Sequence, residues 1–208
     1  GARSAGTDEV NIAYRQMTRS GQETGVIGAE PRFGRLLGTR REAAAILALV
    51  PEPERGRFLD FDASRTTALS PELSRYRIVH FAAHGLLNNI HPELSGLVLS
   101  LVDERGHSQN GFLRLHDIYN LKLPAELVVL SACQTALGRI FQGEAVIGLS
   151  NGFLRAGAAR VIATLWKVDD EASAEIVRRF YENMWGPAAM SPGGALRAPE
   201  FGHPGEAA

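Results

Sequence analysis

The chain is poorest in cysteine: one, Cys133, in 208 residues. An internal disulfide is therefore excluded, and the fold has to rest on an apolar core. No apolar run approaches the roughly 20 residues of a membrane span, and no secretory leader is recognisable. Charge of one sign is also missing: 22 Lys+Arg stand against 23 Asp+Glu, a net charge of -1. That balance argues against nucleic acid or a membrane surface as a partner held by bulk electrostatics. No repeat of 30 to 45 residues is present, and neither a CxxC nor a helical HxxxH spacing offers a metal site. The expectation is one domain in a reducing, cytoplasmic setting, which would keep the single thiol free.

What is there centres on that thiol. Leu127-Val128-Val129-Leu130-Ser131-Ala132-Cys133 is an apolar run that follows Pro124 and ends in small residues. It reads as a strand of a parallel sheet, buried on both faces, with Cys133 at its carboxyl end, where ligands collect in α/β sheets. A lone cysteine is ordinarily a small buried hydrophobe. A second run, Ile78-Val79-His80-Phe81-Ala82-Ala83-His84-Gly85, also reads as a buried strand and ends in histidine and glycine. If the two strands are neighbours, about 4.8 Å apart, their ends bring imidazole to thiol. An imidazolium there stabilises the thiolate and later protonates a leaving group. Gly85 permits a sharp turn, and its N–H joins that of Cys133 as a receptor for an oxyanion.

These blocks, with Leu165-Trp166-Lys167-Val168-Asp169-Asp170-Glu171 after them, resemble the CHAT domain, a bacterial module of the caspase-like cysteine peptidases often attached to tetratricopeptide repeats. The resemblance covers residues 32 to 185 and implies a caspase-like three-layer α/β fold, a mostly parallel sheet flanked by helices. It implies a cysteine endopeptidase acting on a protein substrate through a His84/Cys133 dyad, without metal or cofactor and under control of an attached or partner sensor module. It also implies that Ser131, two residues before the cysteine, lines the pocket for the side chain preceding the scissile bond. Trp166, Asp169 and Asp170 would form the opposite wall. For the two aspartates a simpler reading is helix capping and dipole compensation. Members of the family carry a further strand and helix at the N-terminus, so the chain is expected to be short there.

Along the chain, residues 1–31 lack sustained apolar periodicity and read as a linker or remnant. Thr39-Arg40-Arg41-Glu42 has the spacing of a capping box ahead of a helix over 43–50. Residues 57–61 alternate like a strand, and 63–69 suit a short helix. Residues 86–95 read as a loop beside the site, 97–102 as a strand, 103–111 as turns, and 115–121 as a short helix. Val146, Ile147, Leu149, Phe153 and Leu154 lie close to one stripe of a helix over 144–156, with Gly157 after it as the C-cap. Residues 160–166 suit a strand, and the segment from Asp169 opens a helix with Ala172, Ile176, Val177, Phe180, Tyr181 and Met184 on its apolar face. Residues 186–208, rich in Gly, Pro and Ala, read as a loose tail.

The remaining histidines have plainer readings. His80 lies on the same strand face as His84, roughly 13 Å away, and suits a hydrogen-bonded core position. His91, His107, His116 and His203 suit ordinary surface positions. A zinc site of His80, His84, His91 and Cys133 has no supporting spacing. Two further functions compete with the peptidase: a catalytically silent caspase-like interaction module, and another thiol enzyme such as an acyl or amide transferase.

Overall fold

The chain meets its α/β expectation in one mixed five-stranded sheet. The structure is a computed structural model and describes residues 36–87, 95–136, 143–164 and 170–198. Its strands are β1 (Ile78–Leu87), β2 (Gly96–Val98), β3 (Phe112–Arg114), β4 (Leu127–Ala136) and β5 (Val161–Ala163), in the spatial order β3-β2-β1-β4-β5. The centre of the sheet is parallel: β1 pairs with β4, and β4 with β5. β2 is antiparallel to both β1 and β3. The helices are α1 (Leu37–Ala48), α2 (Arg65–Ala68), α3 (Leu115–Tyr119), α4 (Gly143–Arg155), α5 (Asp170–Trp185) and α6 (Pro192–Leu196). Among the described residues they fall into two compact units, one of residues 57–164 and one of residues 36–56 with 170–198.

In the first unit the period of two along each strand gives the sheet two unlike faces. Val79 and Phe81 of β1, Leu97 of β2, Leu113 of β3 and Val128 and Leu130 of β4 share one face and form a single core with Val146, Leu149 and Phe153 of α4. The rings of Phe81 and Phe153 are 5.3 Å apart. His80, Ala82 and His84 alternate with these residues and so belong to the other face. Gly157 ends α4 in a left-handed conformation, φ 113°, which a side chain would strain. α2 is capped by Ser64, whose Oγ accepts from the N–H of Thr67 at 3.1 Å.

Several local expectations change. Residues 57–61 form no strand, because Asp60 takes a positive φ of 53° and turns the chain; Phe58 instead packs edge-on against Tyr76. Leu86 and Leu87 belong to β1, and residues 88–94 of the expected loop lie outside the described residues. The strand expected over 97–102 is one arm of a hairpin. Its ladder runs from β2 through the Val102↔Ser108 bridge to a tip at Asp103–His107, and its return arm is β3, which lies in no segment expected to be a strand. On α4, Ile147 and Leu154 face solvent at 56% and 43% exposure, so the buried stripe is narrower than expected.

In the second unit, Thr39 is not the N-cap: α1 starts two residues earlier, and the Thr39 hydroxyl donates to the Leu36 carbonyl at 2.8 Å. Glu42, expected in the capping box, is buried. Burial first, and then the charge of Glu42, push the Tyr181 phenol far above its ordinary range. Val177, Phe180 and Tyr181 are the buried face of α5, whereas Ala172 and Ile176 are exposed. The expected loose tail holds α6, capped by Ser191 and with Ala195 fully buried.

Candidate active site

β1 and β4 position the two candidate residues, His84 and Cys133, through their register. From Ile78↔Leu127 onward the strands pair without interruption, and the seventh rung is His84↔Cys133. Paired positions of neighbouring parallel strands lie on the same face, about 4.8 Å apart. The face is the one opposite the α4 core. Its preceding rungs are His80↔Val129 and Ala82↔Ser131, so Ser131 lies two residues before Cys133 on that face and is buried. His84 and His80 are half-buried. The histidine and the cysteine that the sequence singles out are thus brought to one rung.

Gly85 departs from its expectation. The chain does not turn there: Gly85 is buried inside β1, opposite Leu97 on one side and Gln134 on the other. The ladder continues for three rungs beyond His84↔Cys133, to Leu87↔Ala136. Trp166 and Asp169 lie outside the described residues, and Asp170 is the first residue of α5 in the second unit.

The hairpin adds residues to this face that the sequence reading missed. Val98 is opposite His84, and Phe112 opposite Val98, so one row crosses the sheet as Phe112, Val98, His84, Cys133. The next row is Arg114, Gly96, Leu86, Thr135. Gly96 has no substitute: a Cβ would stand 2.4 Å from the Leu113 carbonyl oxygen and 2.7 Å from Cε2 of Phe112. The only trace in the sequence is the apolar pair Phe112-Leu113 after Gly111, too short to be told from a turn.

β3 is held at its end by Asp117 of α3. Asp117 accepts from the Arg114 N–H at 3.0 Å and from Arg65 Nη2 at 2.7 Å and Nε at 3.3 Å. Burial opposes its ionisation, but the hydrogen bonds from Arg65 and Arg114, with the charges of Arg65 and His116, hold its carboxyl below the usual range. His116 and His107 are both exposed. His107 Nδ1 lies 3.0 Å from Asp103, closing the hairpin tip. His91 and His203 fall outside the described residues. Among the described residues no group of three His, Cys, Asp or Glu could hold a metal, and no helix is long and apolar enough to cross a membrane.

Parts of the chain are similar to known proteins. A stretch of 94 residues, 42% of the chain, is 36% identical to tetratricopeptide repeat protein 28 of Mus musculus. A stretch of 76 residues, 36% of the chain, is 36% identical to tetratricopeptide repeat protein 28 of Homo sapiens. These stretches span 4% and 3% of the relatives' own lengths. Relatives of the chain therefore occur in mammals, beside the bacterial setting that the resemblance implies. The CHAT domain family matches residues 7–199, a wider span than the 32–185 of the sequence reading. With nearly the whole of its 208 residues matched, the chain belongs to the CHAT domain family.

Proposed function

We propose that the chain is a cysteine endopeptidase with a His84/Cys133 dyad, housed in a core domain of residues 32–185. The observation that carries this reading is the His84↔Cys133 rung at the carboxyl ends of two adjacent parallel strands. The Cys133 thiolate attacks the carbonyl carbon of a peptide bond, and the carbonyl π electrons move to oxygen. The N–H groups of Gly85 and Cys133 receive that oxyanion once the last rungs of the ladder part. As the C–N bond breaks, the His84 imidazolium protonates the departing amine, leaving a thioester. His84 then takes a proton from water, which hydrolyses the thioester and frees the thiol. No metal or cofactor takes part.

A reducing, cytoplasmic compartment suits a free thiol. Regulation by a tetratricopeptide sensor is supported by the names of the two relatives. The test is labelling by a library of peptides bearing thiol-reactive warheads, with the chain alone and joined to its upstream region. Labelling that requires Cys133, falls with His84→Ala and rises when the upstream region is restored is the expected result. Labelling that survives Cys133→Ala overturns the dyad. Strong turnover of the chain alone, unchanged by the upstream region, overturns the regulation. Absence of labelling in every form leaves a catalytically silent interaction module, the reading that Gly85 buried within a continuous ladder would favour.

A further inference from the structure

Between two neighbouring strands, alternate residues of a strand turn their N–H and C=O groups to alternate sides. In β4 the sides are fixed by bonds near its start. The Val128 N–H donates to the Arg160 carbonyl at 2.9 Å, and the Leu130 carbonyl accepts from the Thr164 N–H at 3.1 Å, so these residues face β5. The Leu127 N–H donates to the Arg77 carbonyl at 3.2 Å, towards β1. Cys133 and Thr135, in step with Leu127, therefore bond to β1. In β1 the sides are fixed by the hairpin. The Leu99 N–H donates to the Gly111 carbonyl at 2.8 Å and the Leu115 N–H to the Ser95 carbonyl at 3.0 Å, so Leu97 faces β3, and Gly96 and Val98 face β1. Their partners Leu86 and His84 face β2, which leaves Gly85 and Leu87 facing β4. Carried forward from the Leu127–Arg77 bond, the register runs Cys133 N–H to Ala83 carbonyl, then Gly85 N–H to Cys133 carbonyl. Beyond them the Thr135 N–H donates to the Gly85 carbonyl, and the Leu87 N–H to the Thr135 carbonyl. Both N–H groups that an oxyanion would need are spent in the ladder.

The two strands are held unequally at this end. β1 has β2 on its other side as far as Leu86. Among the described residues β5 accompanies β4 only as far as Leu130, so from Ser131 onward the β4 backbone is held by β1 alone. A strand end bonded on one side is among the parts of a fold that open at least cost. From this register we infer that the outer rungs are a latch, closed when Gly85 and Cys133 bond across the ladder and open when the β4 end parts from β1 beyond Ala132. Because the Gly85 N–H donates to Cys133 itself, drawing Cys133 off the ladder frees both donors in one movement. The inference rests on the peptidase reading and names its regulation: a sensor that binds the parted form more tightly raises activity by shifting the population towards it.

The experiment uses prolines in the full chain, since proline removes one backbone donor. Thr135→Pro deletes a donor that faces β1, whereas Gln134→Pro and Ala136→Pro delete donors on either side of it that face away. Each protein is assayed on a mixed-sequence pool of fluorescence-quenched peptides, and its amide exchange is followed residue by residue. Thr135→Pro is expected to raise kcat/KM about threefold to tenfold, the scale of one net hydrogen bond, and to speed exchange at Gly85 and Cys133 by a like factor. Gln134→Pro and Ala136→Pro should do neither. Leu87→Pro, which deletes the outermost donor, should act like Thr135→Pro and serves in its place if that variant does not fold. An equal response at all of these positions overturns the latch, since general loosening has no period of two. Faster exchange at Gly85 without a rise in Cys133-dependent hydrolysis also overturns it and leaves the peptidase standing. So does a Gly85 amide that exchanges in the unmodified chain as fast as in an unstructured peptide. If no form cleaves the pool although Gly85 exchanges freely in Thr135→Pro, the peptidase reading falls and the latch falls with it.

Discussion

The two faces of the sheet use the same strands for different ends. On one face, Val79, Phe81, Val128 and Leu130 meet the buried side of α4 in an apolar core. On the other, rungs of the same two strands carry His80, His84, Ser131 and Cys133 among apolar neighbours such as Val98 and Phe112. Because side chains alternate strictly along a strand, a residue on one face can change without displacing the next one on the other. The apolar face therefore supplies stability, the mixed face carries the chemistry proposed above, and the backbone ladder they share sets the separation of histidine and cysteine.

The sharpest way to break this division is at Cys133. Cys133→Ala and His84→Ala are each expected to reduce peptide hydrolysis by about a thousandfold or more and to leave the urea unfolding midpoint nearly unchanged. Near wild-type turnover in either variant sinks the dyad. On the opposite face the expectation reverses. Phe153→Ala removes a fully buried ring beneath Phe81 and should cost about 3–5 kcal/mol in a denaturant titration, while the protein that remains folded keeps its kcat. A drop in kcat without loss of stability would show that the faces are not independent.

A smaller effect is expected at Asp117, which ties β3 to α2 and α3. Asp117→Asn should cost about 1–3 kcal/mol at neutral pH, because a buried hydrogen-bonded carboxylate loses its charge beside Arg65. The folded-state pKa of Asp117 is depressed, so its contribution is complete above the unfolded value of about 3.9 and disappears as pH falls through the lower folded value. The stability gap between the two proteins should therefore close below about pH 4; a gap that stays constant to lower pH contradicts the ionic account. The smallest effect is expected at Asp170, the first residue of α5. Asp170→Ala should lower stability by up to about 1 kcal/mol through the helix dipole, and leave the ratio of kcat/KM for arginine over leucine substrates unchanged. A fall in that ratio would make Asp170 a pocket residue after all.

How much of this was readable in advance depended on the range of the contacts involved. Both central strands were legible, because apolar runs before Gly85 and Ala132 are long enough to separate from turns, and Gly157 was legible as a helix end from its own conformational freedom. Thr39-x-x-Glu42 was misleading, since the spacing of a capping box says nothing of where the backbone begins to coil. Residues 57–61 alternate like a strand but pair with no strand among the described residues, and the positive φ of Asp60 turns them.

By itself the sequence determined the α/β class, excluded an internal disulfide and singled out His84 and Cys133 as the candidate pair, because each depends on local pattern or on composition. Only the tertiary structure decided that these two residues share a rung, that β1 runs on through Gly85, and that a short hairpin brings Phe112 and Arg114 onto the same face. Those facts are matters of register between segments up to fifty residues apart, and register is set by the packing of whole faces rather than by any stretch of chain alone.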